Sequence, residues 1–144
     1  MKYSKIMAER IRRVEVLFKE LGYTILDTER SAESYSAGFE NSEGLQGGFF
    51  IDRASRFLEI AYSFSFSLSM YEFFKVRLEK MLKTTYEYGC YSNVQLNRRD
   101  ISFSVFAKIY YSGLNYYSLK DNLRDFQECI KSLTEVLEII EKEI

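Results

Sequence analysis

The pattern of apolar and polar positions along the chain changes period several times, and each change marks an element. From Tyr3 to Leu21, apolar residues fall at Ile6, Met7, Ile11, Val14, Leu17, Phe18 and Leu21. That spacing predicts an amphipathic helix, with Arg10, Arg12, Arg13, Lys19 and Glu20 mostly on its other faces. Gly22 stands where a C-terminal cap is expected. A run of strands follows: a weak alternation over Tyr23 to Glu29, then Ser34 to Glu40 with Tyr35, Ala37 and Phe39 on one face, then Gly47 to Asp52 with Phe49 and Ile51 aligned. Turn-forming stretches separate them, Arg30 to Glu33, Asn41 to Gly44 and Asp52 to Ser55. The clearest strand is Phe57 to Ser69. Leu58, Ile60, Tyr62, Phe64, Phe66 and Leu68 point one way, and Glu59, Ala61 and Ser63, Ser65, Ser67 and Ser69 the other. This period of two predicts a sheet with one buried and one wetter face.

Helical spacing returns over Met70 to Tyr88, with Phe73, Phe74, Leu78, Met81, Leu82 and Thr85 on one side and Gly89 as a stop. Tyr91 to Leu96 and Ile101 to Tyr111 read as two further strands across the turn Asn97 to Asp100, the second with Ile101, Phe103, Val105, Ala107 and Ile109 aligned. After the break Ser112 to Asn115, a last helix starts near Ser118, where Ser118-x-x-Asp121 has the form of a capping box. Leu119, Leu123, Phe126, Ile130, Leu133, Leu137, Ile140 and Ile144 then recur at spacings of four and three, a heptad seam. The seam packs either within the chain or against a second copy. The order α-β-β-β-β-α-β-β-α predicts an α+β fold, an antiparallel sheet flanked by helices, in one domain over residues 1–144.

Composition narrows the function. With 144 residues and 47% hydrophobic content, the chain can bury a core without metal or disulfide. The net charge of −1 argues against a nucleic-acid binder. No apolar run has the length of a membrane span, so no membrane association is expected. The N-terminal stretch is charged and has no apolar leader region, and Cys90 and Cys129 are the only cysteines. Together these predict a cytoplasmic protein with reduced thiols.

The chain contains no histidine, which removes the commonest general base and metal ligand. Ser63, Ser65, Ser67 and Ser69 read as a solvated strand face. Cys90 and Cys129 read as small fillers without a basic neighbour in sequence. Asp27, Glu29 and Glu59 are the acids that a metal-dependent hydrolase would use, but their spacing matches no calcium loop, and an ion pair from Arg53 or Arg56 to Glu59 is the plainer account. Gly44-Leu45-Gln46-Gly47-Gly48 lacks the ending of a phosphate loop and precedes a strand. The basic residues Arg10, Arg12, Arg13 and Lys75, Arg77, Lys80, Lys83 are interleaved with acids, as on a solvated helix. No catalytic residue, cofactor site or metal site is therefore expected.

Two features stand above this background. One is the supply of tyrosines, from which Tyr62, Tyr110, Tyr111, Tyr116 and Tyr117 are candidates for a partner-binding surface. The other is the packing or dimer seam Leu119, Leu123, Phe126, Ile130, Leu133 and Leu137. The strand Ile101 to Tyr111, the break Ser112 to Asn115 and this amphipathic run give the chain a layout that resembles the type III secretion chaperone fold. It is similar as well to YbjN-type bacterial proteins. The resemblance implies a small non-enzymatic protein, dimeric, that binds an extended segment of another protein along a sheet or helix surface. An inhibitor of one target, of the immunity or antitoxin kind, is the alternative binding role.

Overall fold

A computed structural model describes residues 4–141, with side chains described through residue 137. The elements are α1 (Lys5–Glu20), β1 (Thr24–Arg30), β2 (Ser34–Glu40), β3 (Gln46–Asp52), β4 (Phe57–Ser67), α2 (Tyr71–Glu87), β5 (Tyr91–Leu96), β6 (Asp100–Tyr110) and α3 (Tyr116–Glu141). Short 3-10 turns follow β4 and β6. The strands form one six-stranded sheet in the order β1-β2-β3-β4-β6-β5, and every pair whose register is resolved is antiparallel. The fold is α+β with the element order expected from the pattern.

The chain divides into two compact units, residues 1–61 with 108–123, and residues 62–107 with 124–144. In the first, α1 buries Met7, Ile11, Val14 and Phe18. The Phe18 ring stacks on Phe49 at 4.8 Å and meets Phe39 at 4.9 Å, so α1 lies on the face of the sheet that carries Tyr35, Ala37, Phe39, Phe49 and Ile51. Ile6, placed on the apolar side by spacing, is half exposed. In the second unit, Phe74 of α2 packs on Phe66 and Phe103 at 5.4 and 6.3 Å. Met81, Thr85, Val105, Cys129 and Leu133 are buried in the same unit.

Both expected glycine caps form. After α1, Gly22 N–H donates to Lys19 O and Tyr23 N–H to Phe18 O; after α2, Gly89 N–H donates to Tyr86 O and Cys90 N–H to Thr85 O. Each is a paired C-terminal closure that needs a residue of positive φ, here +91° and +72°, which glycine adopts without a Cβ clash.

Several boundaries move. β4 ends at Ser67, because Leu68 and Ser69 enter a 3-10 turn, and Leu68 points outward with 41% exposure. Leu82, expected on the buried side of α2, is exposed, and Thr84 takes its place by donating its hydroxyl to Lys80 O at 2.8 Å. α3 starts two residues before Ser118. Its capping box is Asn115 with Ser118: Ser118 N–H donates to Asn115 Oδ1 and Asn115 N–H to Ser118 Oγ, both at 2.9 Å. The Ser118-x-x-Asp121 pairing is therefore corrected.

Along α3 the buried positions are Leu119, Leu123, Phe126, Cys129, Leu133 and Val136. Ile130 and Leu137 of the expected seam are only half-buried. A straight helix has 3.6 residues per turn, so a strict heptad stripe drifts by about 20° per repeat. The buried stripe follows the drift and takes in Cys129 and Val136. Leu119, Leu123, Phe126 and Leu133 are covered within a single chain. Ile140 and Ile144 fall outside the residues with described side chains.

Candidate functional site

The first unit presents a sheet face turned away from α1. Register places Gly38 opposite Gly48 and Gly48 opposite Ala61, and places Ser36 and Glu59 on either side of Phe50. Small side chains thus leave backbone near the surface, with Phe50 39% exposed among them. On the same side of β4, Phe57 meets Tyr110 of β6 edge to face at 5.8 Å. Lys108 sets its Nζ 5.1 Å from the Phe57 ring centre and 5.8 Å from that of Tyr110. Tyr110 remains 51% exposed. An aromatic pair with a cation at its faces can take up an apolar or aromatic side chain and a backbone carbonyl together.

The five candidate tyrosines do not form one surface. Tyr110 belongs to the face just described. Tyr111 turns the other way into the 3-10 turn after β6, where the Arg10 guanidinium lies 4.2 Å over its ring. Its hydroxyl is buried without a hydrogen-bond partner, and burial pushes the phenol up to about 12. Tyr116 and Tyr117 pack against each other at 5.3 Å on the first turn of α3, with Tyr117 74% exposed. Tyr62 lies in the second unit, half-buried and edge-on to Phe64 at 5.1 Å. Phe50, Phe57 and Lys108 were missed by the sequence reading. Period-two alternation placed Phe57 outside the buried set, and that was the available signal.

The other candidate groups are absorbed by structure. Arg10 donates to the carbonyls of Asp52, Arg53 and Ser55 at 3.4, 3.3 and 3.0 Å, and Arg13 to those of Tyr111 and Leu114, so α1 holds two turns of its own unit. Arg77 lies over Phe73 at 3.7 Å and donates to its carbonyl. Arg53 pairs with Glu33 at 3.3 Å. β1 carries a bulge between Leu26 and Glu29, with Asp27 at φ +51°, so Asp27 and Glu29 do not keep the common face expected of a regular strand. Among the described residues, no three or more acids or thiols gather as metal ligands. The hairpin loop spans Asn41 to Leu45 and is closed by Asn41, whose Oδ1 accepts from Glu43 N–H and Leu45 N–H at 3.0 Å, while Gln46 to Gly48 already belong to β3. In the second unit the serine face is self-bonded, Ser63 to Ser104 at 2.9 Å.

The second unit also holds both cysteines. The Cys90 thiol donates to the Tyr88 carbonyl at 3.8 Å, and the Cys129 side chain lowers it below its usual value against the opposing effects of burial and the Asp125 charge. The Cys90 side chain and burial raise Cys129. Cys90 is half-buried, Cys129 fully buried, and both are free thiols.

With this geometry in view, the fold is similar to the crystal structure of an uncharacterized protein from Methanothermobacter thermautotrophicus, at a TM-score of 0.67 and 14% identity over 88% of this chain and 95% of that one. A likeness at that identity shows the fold alone. No family model and no curated protein matches the chain. Among the described residues, no helix is long and apolar enough to cross a membrane.

Proposed function

We propose that the protein is a non-enzymatic binding module that holds a segment of another protein against the open sheet face of its first unit. The observation that carries this reading is the pairing of half-buried Phe57 with exposed Tyr110, with Lys108 at their rings, beside a strip of glycine and alanine. An extended segment laid on that strip would reach backbone closely and set one apolar side chain against the rings. The chaperone-like role implied by the layout belongs to this proposal, as does a cytoplasmic setting in which the thiols are held reduced. The covered part of the α3 seam argues that a homodimer, if one forms, uses other residues.

The test is affinity capture of the tagged wild-type protein from its source cells, beside Tyr110→Ala and Phe57→Ala. One stoichiometric partner that binds wild type and is lost from both variants supports the reading. A partner retained by both variants, or none at all, overturns it. The identity of the partner separates a chaperone client from the target of an inhibitor.

A further inference from the structure

We infer that β5 is a docking edge for a second copy of this chain, the two β5 strands pairing antiparallel about a two-fold axis at Val94. β5 closes one end of the sheet order, beyond β6. Asn97 N–H donates to Asp100 O at 2.9 Å, and the register of β5 on β6 continues from that pair without a shift, from Leu96 opposite Ile101 to Tyr91 opposite Phe106. Hydrogen-bonded and non-bonded pairs alternate along an antiparallel ladder, so Gln95, Asn93 and Tyr91 bond to β6. Ser92, Val94 and Leu96 therefore turn their N–H and C=O groups outward. Among the described residues, no turn, loop or cap hydrogen bond takes up those groups.

An open edge is ordinarily blunted by charge, proline or a bulge. β1, at the other end of the order, has a bulge and the charged residues Asp27, Glu29 and Arg30. β5 has neither charge nor proline, and its register has no bulge. Leu96 is 65% exposed, although Ile101 opposite it is fully buried. A second copy fits this edge. An axis at Val94 uses every outward group: Val94 meets the partner's Val94, and Ser92 meets the partner's Leu96. The side chains agree with it, since Asn93 then stands beside the partner's Gln95 and Leu96 lies diagonal to the partner's Val94, with no like charges opposed.

α2 supplies charge complementarity independently. The turn Tyr88 to Cys90 joins it to β5, with which it is in contact. Val94 lies three residues, about 10 Å, from the start of β5. The same distance back along α2 from Tyr88 is about seven residues and reaches Met81. Lys75, Glu79, Lys83 and Glu87 form an exposed row of alternating sign. Turned about Met81, the row sets Glu79 against the partner's Lys83 and Lys75 against the partner's Glu87. Val76, 75% exposed, meets the partner's Tyr86, 83% exposed. An axis at Glu79 instead sets Lys75 against the partner's Lys83. The edge and the helix lie in the second unit, so this inference is independent of the face proposed above.

The test uses the native full-length chain. Sedimentation equilibrium over a range of concentrations is expected to show a dimer. Val94→Pro removes only an outward N–H, which an edge strand tolerates. It is expected to weaken association at least roughly tenfold with an unchanged circular dichroism spectrum. Lys83→Glu is expected to weaken the dimer, and adding Glu79→Lys to restore it. Under mild oxidation Val94→Cys is expected to give an interchain disulfide between the two residues 94, because the Cα atoms of a hydrogen-bonded pair stand about 5.5 Å apart. Asn93→Cys, which does not meet its own copy, is expected to link far less. A wild-type monomer at every concentration overturns the inference and leaves the edge to a strand of another protein. So does a dimer that folded Val94→Pro or Lys83→Glu leaves as tight, a charge reversal that Glu79→Lys does not rescue, or equal linkage of the two cysteine variants. The wild-type and cysteine readouts decide the matter even if the proline variant does not fold.

Discussion

The two units bury comparable elements with different materials. In the first, one ring organises the core: Phe18 contacts Tyr23, Phe39 and Phe49 at centroid distances of 5.8, 4.9 and 4.8 Å, and Tyr35 adds to Phe49 at 6.0 Å. In the second, Phe74 meets Phe66 and Phe103, Phe126 is buried as well, and the other buried positions are Met81, Ile101, Val105, Ala107, Leu133, Val136, Cys129 and two threonines. The threonines are satisfied by their own helix, Thr84 on Lys80 O and Thr85 on Met81 O, each at 2.8 Å. A core of interlocked rings fixes shape tightly, because ring pairs have preferred geometries and little room to relax. A core in which fewer rings interlock and a methionine and a thiol fill among aliphatic side chains adapts more readily. The more rigid unit carries the exposed aromatic face, and the softer one carries both free thiols.

The largest expected effect tests that contrast. Phe18→Ala removes a fully buried ring touching three others and is expected to cost about 4–5 kcal/mol in urea unfolding. Phe74→Ala, equally well buried, is expected to cost about 3 kcal/mol, because methionine and leucine can move toward the void. Equal losses, or the reverse order, would break the comparison.

Next comes a small-to-large change. A Cβ at Gly47 would lie 2.8 Å from the Phe39 ring tip and 3.1 Å from the Ala61 carbonyl oxygen. The ring is held between Phe18 and Tyr23, so it cannot turn aside freely. Gly47→Ala is expected to destabilise by about 1–3 kcal/mol. Adding Phe39→Leu to it should cost less than the two single changes together, a departure from additivity measured by a double-mutant cycle. Strict additivity would mean that the ring is not the obstacle.

Much of this organisation is legible in the residues, and the misses share a cause. The bounds of β2 and β5 and the stops at Gly22 and Gly89 follow from local signals, an alternation or a glycine at a helix end, that the fold has no reason to override. Leu68, Leu82, Ile130 and Leu137 have the right spacing and the wrong outcome. Each stands where an element turns, ends or drifts, and only packing decides which side is covered. The Asn115–Ser118 box competed with a second plausible box three residues on, and the earlier one closes because α3 begins at Tyr116. Of the site, the alternation along β4 indicates which face is open. It does not indicate that Phe57 and Lys108 converge on Tyr110. That the two thiols influence each other was out of reach of sequence, since no local pattern relates a residue after a helix cap to one on a later helix.

The smallest expected effect is a pH dependence located in the first unit. Tyr111 is held neutral to about pH 12 by burial, with Asp52 acting in the same direction and Arg10 against both. In the unfolded chain a tyrosine ionises near 10. Below 10 both states keep the proton, and the contribution is constant. Between 10 and 12 the unfolded state loses it first, so the native state binds more protons and stability falls as pH rises. Tyr111→Phe removes the proton and also the unpartnered buried hydroxyl. Its stability should therefore match or exceed that of wild type at neutral pH, and its decline between pH 10 and 12 should be shallower. The cation over the ring would remain, since Arg10 faces the aromatic π system and its guanidinium is tied to three carbonyls. Urea midpoints at pH 7, 10 and 11.5 for the two proteins decide it. Parallel declines would place the alkaline sensitivity elsewhere, and the thiol pair of the second unit, whose members shift in opposite directions, would be the next group to replace.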